Sequence, residues 1–373
     1  MSTNRSIQIA SSRNRSSSAA AAELAHALSP ARPSLVLYFA TSAHDPSSIA
    51  SGMEAAFAPA TVIGCSTAGE IVSGEMLKGS VVAMAIGSEV VSDVQVEILR
   101  EVSTAADSVP LALESFGSRL RTPMRKLDPS KYVGLILVDG LSGAEERIMD
   151  ALGTGTDVLF VGGSAGDDLA FQRTHVFAGG KALTDAALLV LMRVERGFSI
   201  LKTQSFSSTG RRLTATRVDE ARRVVLEFDG QPAVRAYAAA LGVEPAALPA
   251  QFAAHPLGVM AGDEPFVRSP QQILGEAVKF YCGIAEGAEL EILEATDIVE
   301  ETRRALERKT RMLGGISGLV NFNCILRTLE LDRKGQDQAY GRLFSDVPTV
   351  GFSTYGEAYL GHINQTATML VLR

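Results

Sequence analysis

Three short stretches of this chain carry the residue types that chemistry needs. They are Gly64-Cys-Ser66-Thr-Ala-Gly69-Glu70, Gly162-Gly-Ser164-Ala-Gly166-Asp167 and Gly351-Phe-Ser353-Thr-Tyr-Gly356-Glu357. Each runs glycine, serine, glycine, acid, and the middle copy is one residue shorter. Glycine permits positive φ and a close backbone approach. The serine hydroxyl and the neighbouring turn N–H groups can hold one oxygen of a ligand. The acid can tie the turn down by accepting backbone N–H bonds. Taken singly, such a turn does no more than lead a buried strand sharply away. If the three converge around a pseudo-symmetric centre, they frame a pocket.

Two of these positions also fit a nucleophile. Gly162-Gly163-Ser164-Ala165-Gly166 matches the pattern of a nucleophile elbow and follows a strand-like run, but an elbow needs a helix next and a strand-like stretch follows instead. Cys65 would need a lowered pKa and a histidine beside it. A serine or cysteine hydrolase using Ser164 or Cys65, with His255 or His362 as base, is therefore the alternative to a binding protein. The five histidines, His26, His44, His175, His255 and His362, form no short-spaced metal cluster. One histidine suffices to ligate haem iron, which makes His362 and His255 the candidates for that role. Read as one strand, Asn321-Phe-Asn323-Cys324-Ile-Leu-Arg327 puts Asn321, Asn323 and Arg327 on one face. Those three side chains suit either a polar or anionic ligand or buried loop carbonyls. The chain has no phosphate loop and no dinucleotide fingerprint.

The elements around the turns repeat as well. Residues 34–40, 132–140 and 318–327 read as apolar strands; 46–57, 143–153 and 335–346 as helices; 60–70, 156–168 and 347–359 as strands entering the turns; and 79–87, 185–194 and 364–373 as closing strands. The fold expected is α/β, of mixed α+β character, with strand–helix–strand–strand units forming layered sheets flanked by helices. Residues 89–100 alternate as a strand and 109–126 read as an amphipathic helix. Residues 196–229 are β-rich, and the character changes near 229–232. Asp297 is placed to cap a helix over 297–313 whose acids lead and whose bases follow. The expected domains are a tail and N-terminal helix over 1–33, an N-terminal domain over 34–229 and a C-terminal domain over 232–373.

Bulk properties narrow the function. With 35 Lys+Arg against 42 Asp+Glu, the 373-residue chain carries a net charge of −7, which argues against a general phosphate-binding surface. Apolar residues make up 46%, enough for a substantial core. Cys65, Cys282 and Cys324 are too widely spaced for a disulfide framework or a paired zinc motif, so a reducing, cytoplasmic setting is expected. No apolar run is long enough to span a bilayer. The Arg/Ser-rich start, without acid before Glu23, reads as a frayed tail leading into a helix from Ser18 to Leu28, although its composition also suits an organellar transit peptide.

Taken together, GCSTAGEI (64–71), FVGGSAGDD (160–168), FNCILR (322–327) and GFSTYGE (351–357) resemble the FIST (F-box and intracellular signal transduction) sensory proteins. The resemblance covers about 34 to 373. It implies a small-ligand sensor rather than an enzyme, with amino acids suggested as ligands across the family. One bacterial subgroup binds haem, senses nitric oxide and controls a histidine kinase or a cyclic-di-GMP enzyme, so the chain is expected to act as a stand-alone sensor in trans. The expected ligand-binding residues are Ser66, Thr67, Glu70, Ser164, Asp167, Asn321, Arg327, Ser353, Thr354, Glu357 and Asn364.

Overall fold

A computed structural model of the chain describes residues 6–29, 33–105, 108–262 and 264–373. The described chain divides into two compact units. One comprises the chain up to Thr203, Thr302–His362 and Ala367–Arg373; the other comprises Gln204–Glu301 and Ile363–Thr366. The units thus part at 203/204 and 301/302.

The first unit is three passes through one motif. Pass one is β1 (Ile7–Ser12), α1 (Ser17–Leu28), β2 (Leu35–Thr41), α2 (Pro46–Phe57), β3 (Thr61–Thr67), a hairpin of β4 (Glu70–Val72) and β5 (Glu75–Leu77), and β6 (Val81–Ile86). Pass two is β7 (Val91–Arg100), α3 (Ser108–Leu120), β8 (Tyr132–Val138), α4 (Glu145–Gly155), β9 (Phe160–Ser164), a hairpin of β10 (Val176–Ala178) and β11 (Lys181–Leu183), and β12 (Ala186–Val194). Pass three opens with β13 (Phe198–Gln204). The chain then runs through the second unit, made of β14 (Phe206–Asp219), β15 (Val224–Phe228), β16 (Gln231–Pro232), α5 (Ala233–Leu241), β17 (Leu257–Ala261), β18 (Glu264–Arg268), β19 (Pro270–Leu274), β20 (Ala277–Phe280) and β21 (Glu289–Ala295). It resumes with α6 (Ile298–Leu313), β22 (Gly318–Cys324), α7 (Ile325–Lys334), α8 (Asp337–Arg342), β23 (Thr349–Thr354), a hairpin of β24 (Glu357–Ala358) and β25 (His362–Ile363), and β26 (Thr366–Leu372).

The expected repeat is therefore present and longer than expected, because each pass begins with its own strand and helix. The 1–33 segment is more than a tail and a helix: β1 pairs antiparallel with β6, from Ile7 opposite Ile86 to Ser12 opposite Val81. Each pass builds a six-stranded sheet: β1-β6-β2-β3-β10-β11, β7-β12-β8-β9-β24-β25 and β13-β26-β22-β23-β4-β5. In each, one parallel pair, β2/β3, β8/β9 or β22/β23, lies at the centre. The sixth-strand hairpin always comes from another pass. Pass two lends its hairpin to sheet one, pass three to sheet two, and pass one to sheet three, which closes a ring.

The inner faces of the three sheets share one apolar core. Phe39, Phe322 and Phe352 meet there, with ring centroids 4.6 Å apart for Phe39–Phe352 and 5.8 Å for Phe322–Phe352. Each buried ring contributes about 1.5–3 kcal/mol. The outer faces carry helices. α1 and α2 cover Val36, Tyr38 and Ala83 of sheet one, and α3 and α4 cover Ile136, Val138 and Leu189 of sheet two. In the second unit α5 packs on a β-rich body whose strands run β18-β17-β21-β14-β15-β20-β19, with β16 beside β15.

One expected strand is shorter than the sequence suggested. The run 318–327 leaves the sheet at Cys324, and Ile325 begins α7, which ends at Gly335 with φ 63°. Ile325 and Leu326 extend an apolar strand pattern, but Leu329, Glu330, Leu331 and Lys334 favour helix and win once α7 can pack. Arg327 consequently stands on the first turn of a helix, not on the strand face shared by Asn321 and Asn323. The helix expected over 335–346 is confined to the short α8.

Candidate functional site

The glycine that opens each of the three motifs has one structural reason. A Cβ added to Gly64 would lie 2.0 Å from the Tyr38 carbonyl oxygen, one on Gly162 would lie 1.8 Å from that of Ile136, and one on Gly351 would lie 2.1 Å from that of Asn321. In all three passes the parallel partner strand comes too close for any side chain at that register.

The three turns are hydrogen-bonded to one another through the ring of exchanged hairpins. Gly166 N donates to the Ser66 carbonyl at 3.0 Å and Asp168 N to that of Thr67 at 3.1 Å. Tyr355 N donates to the Ser164 carbonyl at 3.1 Å and Ser164 N to that of Gly356 at 2.9 Å. Ala68 N donates to the Ser353 carbonyl at 3.3 Å and Ser353 N to that of Gly69 at 2.8 Å. Each turn is thus bonded to the serine strand of another pass.

The side chains of the turns are mostly spent on holding them. Thr67 Oγ1 donates to Glu70 Oε1 at 2.5 Å, and Glu70 Oε2 accepts from Ser80 N at 3.0 Å and Ser80 Oγ at 2.6 Å. Glu70 is fully buried, and that burial pushes its carboxyl up to about 7 against the opposing effect of those bonds. Thr354 and Glu357 repeat the arrangement at 3.3 Å, with Thr354 Oγ1 also donating to the Gly356 carbonyl at 2.6 Å. Ser66 Oγ accepts from His175 N at 2.9 Å, and Ser353 Oγ lies 2.8 Å from Thr328 Oγ1.

The middle turn differs. Its shorter motif opens into a loop over 165–175, where Asp168, Leu169 and Phe171 have φ of 53°, 67° and 50°. Non-glycine residues in this region cost on the order of 1–3 kcal/mol each. Asp167 holds the loop by accepting from the backbone N–H groups of Phe171, Gln172 and Arg173 and from Tyr355 Oη at 2.5 Å. Burial raises its pKa, but the Tyr355 hydroxyl and those amides outweigh burial and hold it below the usual carboxylate range. Asp168 reaches pass one, accepting from Thr41 Oγ1 at 3.1 Å and Ser42 Oγ at 2.6 Å. Phe171, 57% exposed, stacks on Tyr355 at 4.9 Å. The conspicuous tyrosine of the third motif, not read as a site residue, is therefore the clasp between passes two and three.

Ser164 is buried and donates to Glu145 Oε1 at 3.1 Å, and an irregular segment follows it in place of an elbow helix. Cys65 is sealed in the central core, and burial pushes its thiol well up.

Sheet three is where the passes cease to match. The parallel registers pair Gly64 with Tyr38 and Ser66 with Ala40, Gly162 with Ile136 and Ser164 with Val138, but Gly351 with Asn321 and Ser353 with Asn323. Where sheets one and two put apolar side chains beneath their helices, sheet three puts two asparagines. Asn323 Oδ1 accepts from Arg327 Nε at 3.0 Å and from Tyr340 Oη at 3.1 Å, and Asn323 Nδ2 donates to Thr328 Oγ1 at 3.0 Å. Asn321 Nδ2 donates to Tyr340 Oη at 3.3 Å, and Arg327 Nη2 to Thr302 Oγ1 at 3.0 Å. Asn321, Asn323 and Arg327 do come together with Ser353, through Thr328.

The remaining predicted residues lie elsewhere. Asn364 belongs to the second unit, where its Oδ1 accepts from Cys282 Sγ at 2.6 Å. So does His255, whose Nδ1 lies 3.2 Å from the Leu293 carbonyl. His362 is buried with its ring so close to Gly356 that a Cβ there would fall 2.2 Å from Cε1. Among the described residues there are cavities of about 540 Å³, lined by Leu152, Phe160 and Leu360 among others, and of about 420 Å³, lined by Leu113, Gly117 and Met124 among others. Neither histidine lines either of these two cavities.

The family model described as the FIST N domain matches residues 34–231, and that described as the FIST C domain matches residues 233–359. A curated protein of Methanocaldococcus jannaschii, described as uncharacterized protein MJ1623, is 23% identical over 265 residues, which are 66% of this chain and 50% of that protein. The chain thus spans about half the length of that curated relative.

Proposed function

The chain belongs to the FIST family, whose domains are small-ligand sensory modules of signalling systems, and on that premise we propose that it senses a small polar ligand and passes the signal in trans to a partner. One observation carries this reading: the three Gly/Ser turns are hydrogen-bonded to one another across the passes, and the middle one is backbone-strained. A sensor needs an element with two arrangements of similar energy that a ligand can bias. A strained loop clasped by Asp167 and Tyr355 supplies such an element, and the exchanged hairpins link it to the other two turns. Ser66, Ser164 and Ser353 transmit in this reading, and the polar network of sheet three receives the ligand.

The partner proposed is a histidine kinase or a cyclic-di-GMP enzyme. A melting screen of the protein against small polar metabolites tests the sensing half. The reading expects at least one compound to give a saturable rise, and that compound to change the protein's effect on the activity of a co-purifying kinase or cyclase. A ligand that leaves partner activity unchanged removes the signalling half. Haem with nitric oxide is the finer version, with His362 or His255 as axial ligand. It asks for repacking around Gly356 or Leu293, and a Soret band lost in His362→Ala or His255→Ala is its test.

A further inference from the structure

Arg327 is 1% exposed and is among the largest fully buried side chains of the protein. Its guanidinium donates through Nε to Asn323 and through Nη2 to Thr302, and lies 5.8 Å from the centre of the Tyr340 ring. Among the described residues no carboxylate stands within ion-pair distance of it, and its Nη1 is buried without a hydrogen-bond partner. A buried charge without a counter-charge is costly, and so is a buried donor without an acceptor.

The surroundings do not make this a packing accident. Sheets one and two solve the same layer with Tyr38 and Ala40 or with Ile136 and Val138. Sheet three spends Asn321, Asn323, Tyr340 and Thr302 on orienting one cation instead. A fold that breaks its own apolar pattern at one copy usually does so for function.

We propose that a small oxyanion completes this site, accepting from the unpartnered Nη1 of Arg327, a guanidinium being suited to a carboxylate or a similar planar anion. This deepens the sensor reading by naming the chemical class of its ligand, and a hydrogen-bonded path through Asn323 and Thr328 links the contact to the Ser353 turn.

Formate, acetate and nitrate are the probes. The melting temperature of the full chain is measured against each at constant ionic strength, with fluoride as the balancing salt, in wild type and in Arg327→Met. The expected result is a saturable rise in wild type of several degrees for at least one probe, absent from Arg327→Met. No saturable response in wild type, or the same response in both proteins, overturns the proposal and shows the arginine to be a structural cation. Should Arg327→Met fail to fold, ¹³C-formate NMR on the wild type decides: saturation transfer from protein to formate, displaced by acetate, supports the site, and its absence overturns it. Either failure leaves the sensor reading to its own metabolite screen.

Discussion

Thr67 Oγ1 donates to Glu70 Oε1 at 2.5 Å inside a turn that solvent does not reach. That contact, with Ser80 on the other carboxylate oxygen, anchors the hairpin that pass one lends to sheet three.

Glu70 makes stability depend on pH. Its carboxyl rises from the ordinary 4.5 to about 7 in the folded protein, chiefly through burial. Between those two values the native state binds more protons than the unfolded one, so this group's contribution is full below 4.5 and is lost as pH rises through about 7. At about 1.4 kcal/mol per pKa unit, the loss is a few kcal/mol. Glu70→Gln keeps the acceptor and cannot ionise. Its denaturation midpoint is expected to vary less with pH from 4.5 to 7.5 than that of wild type, and superimposable pH profiles would count against the buried carboxyl.

Gly162→Ala tests the close approach of the parallel strands. The new Cβ would meet the Ile136 carbonyl oxygen at 1.8 Å, a backbone atom that cannot swing away. A destabilisation of about 3 kcal/mol or more is expected in urea unfolding, at the upper end of what overpacking costs. Gly153→Ala, on α4 with nothing within 4 Å, is the control and is expected to stabilise by up to about 1 kcal/mol. Equal effects at the two sites would remove the steric explanation of the motif glycine.

Tyr355→Phe opens the clasp. It removes a donor to Asp167 and an acceptor for the Asp167 and Leu169 N–H groups. A loss of about 2 kcal/mol is expected, as for a hydrogen bond to a charged group. The Asp167 pKa should rise towards 3.8, seen in a ¹³C carboxyl titration. Because that pKa is depressed in the wild type, the stabilisation it gives holds above 3.8 and fades as pH falls, and the variant should show less of this acid sensitivity. An unmoved Asp167 titration would mean that the backbone amides alone set it.

Ser164→Ala separates a structural serine from a nucleophile. Losing the bond to Glu145 is expected to cost about 1 kcal/mol, and neither protein should react with a fluorophosphonate probe. Labelling of wild type that disappears in the variant would restore the hydrolase reading.

Much of this architecture was legible in the sequence because its signals are local. A strand announces itself by apolar runs and a turn by glycine, so three copies of one pattern exposed the threefold motif and the Ser66, Ser164 and Ser353 turns. What the sequence could not express is which pass pairs with which. The exchanged hairpins are long-range pairings, and β4 meets β23 across more than two hundred residues. The strand-to-helix change at Cys324 also stayed hidden, because Ile325 and Leu326 suit both states until α7 packs. Arg327 shows the difference most directly. Its type and its nearness to Asn321 and Asn323 were plain from the order of residues, but its burial, its lack of a carboxylate and its link to Ser353 through Thr328 arise only when helix, strand and turn close on one another.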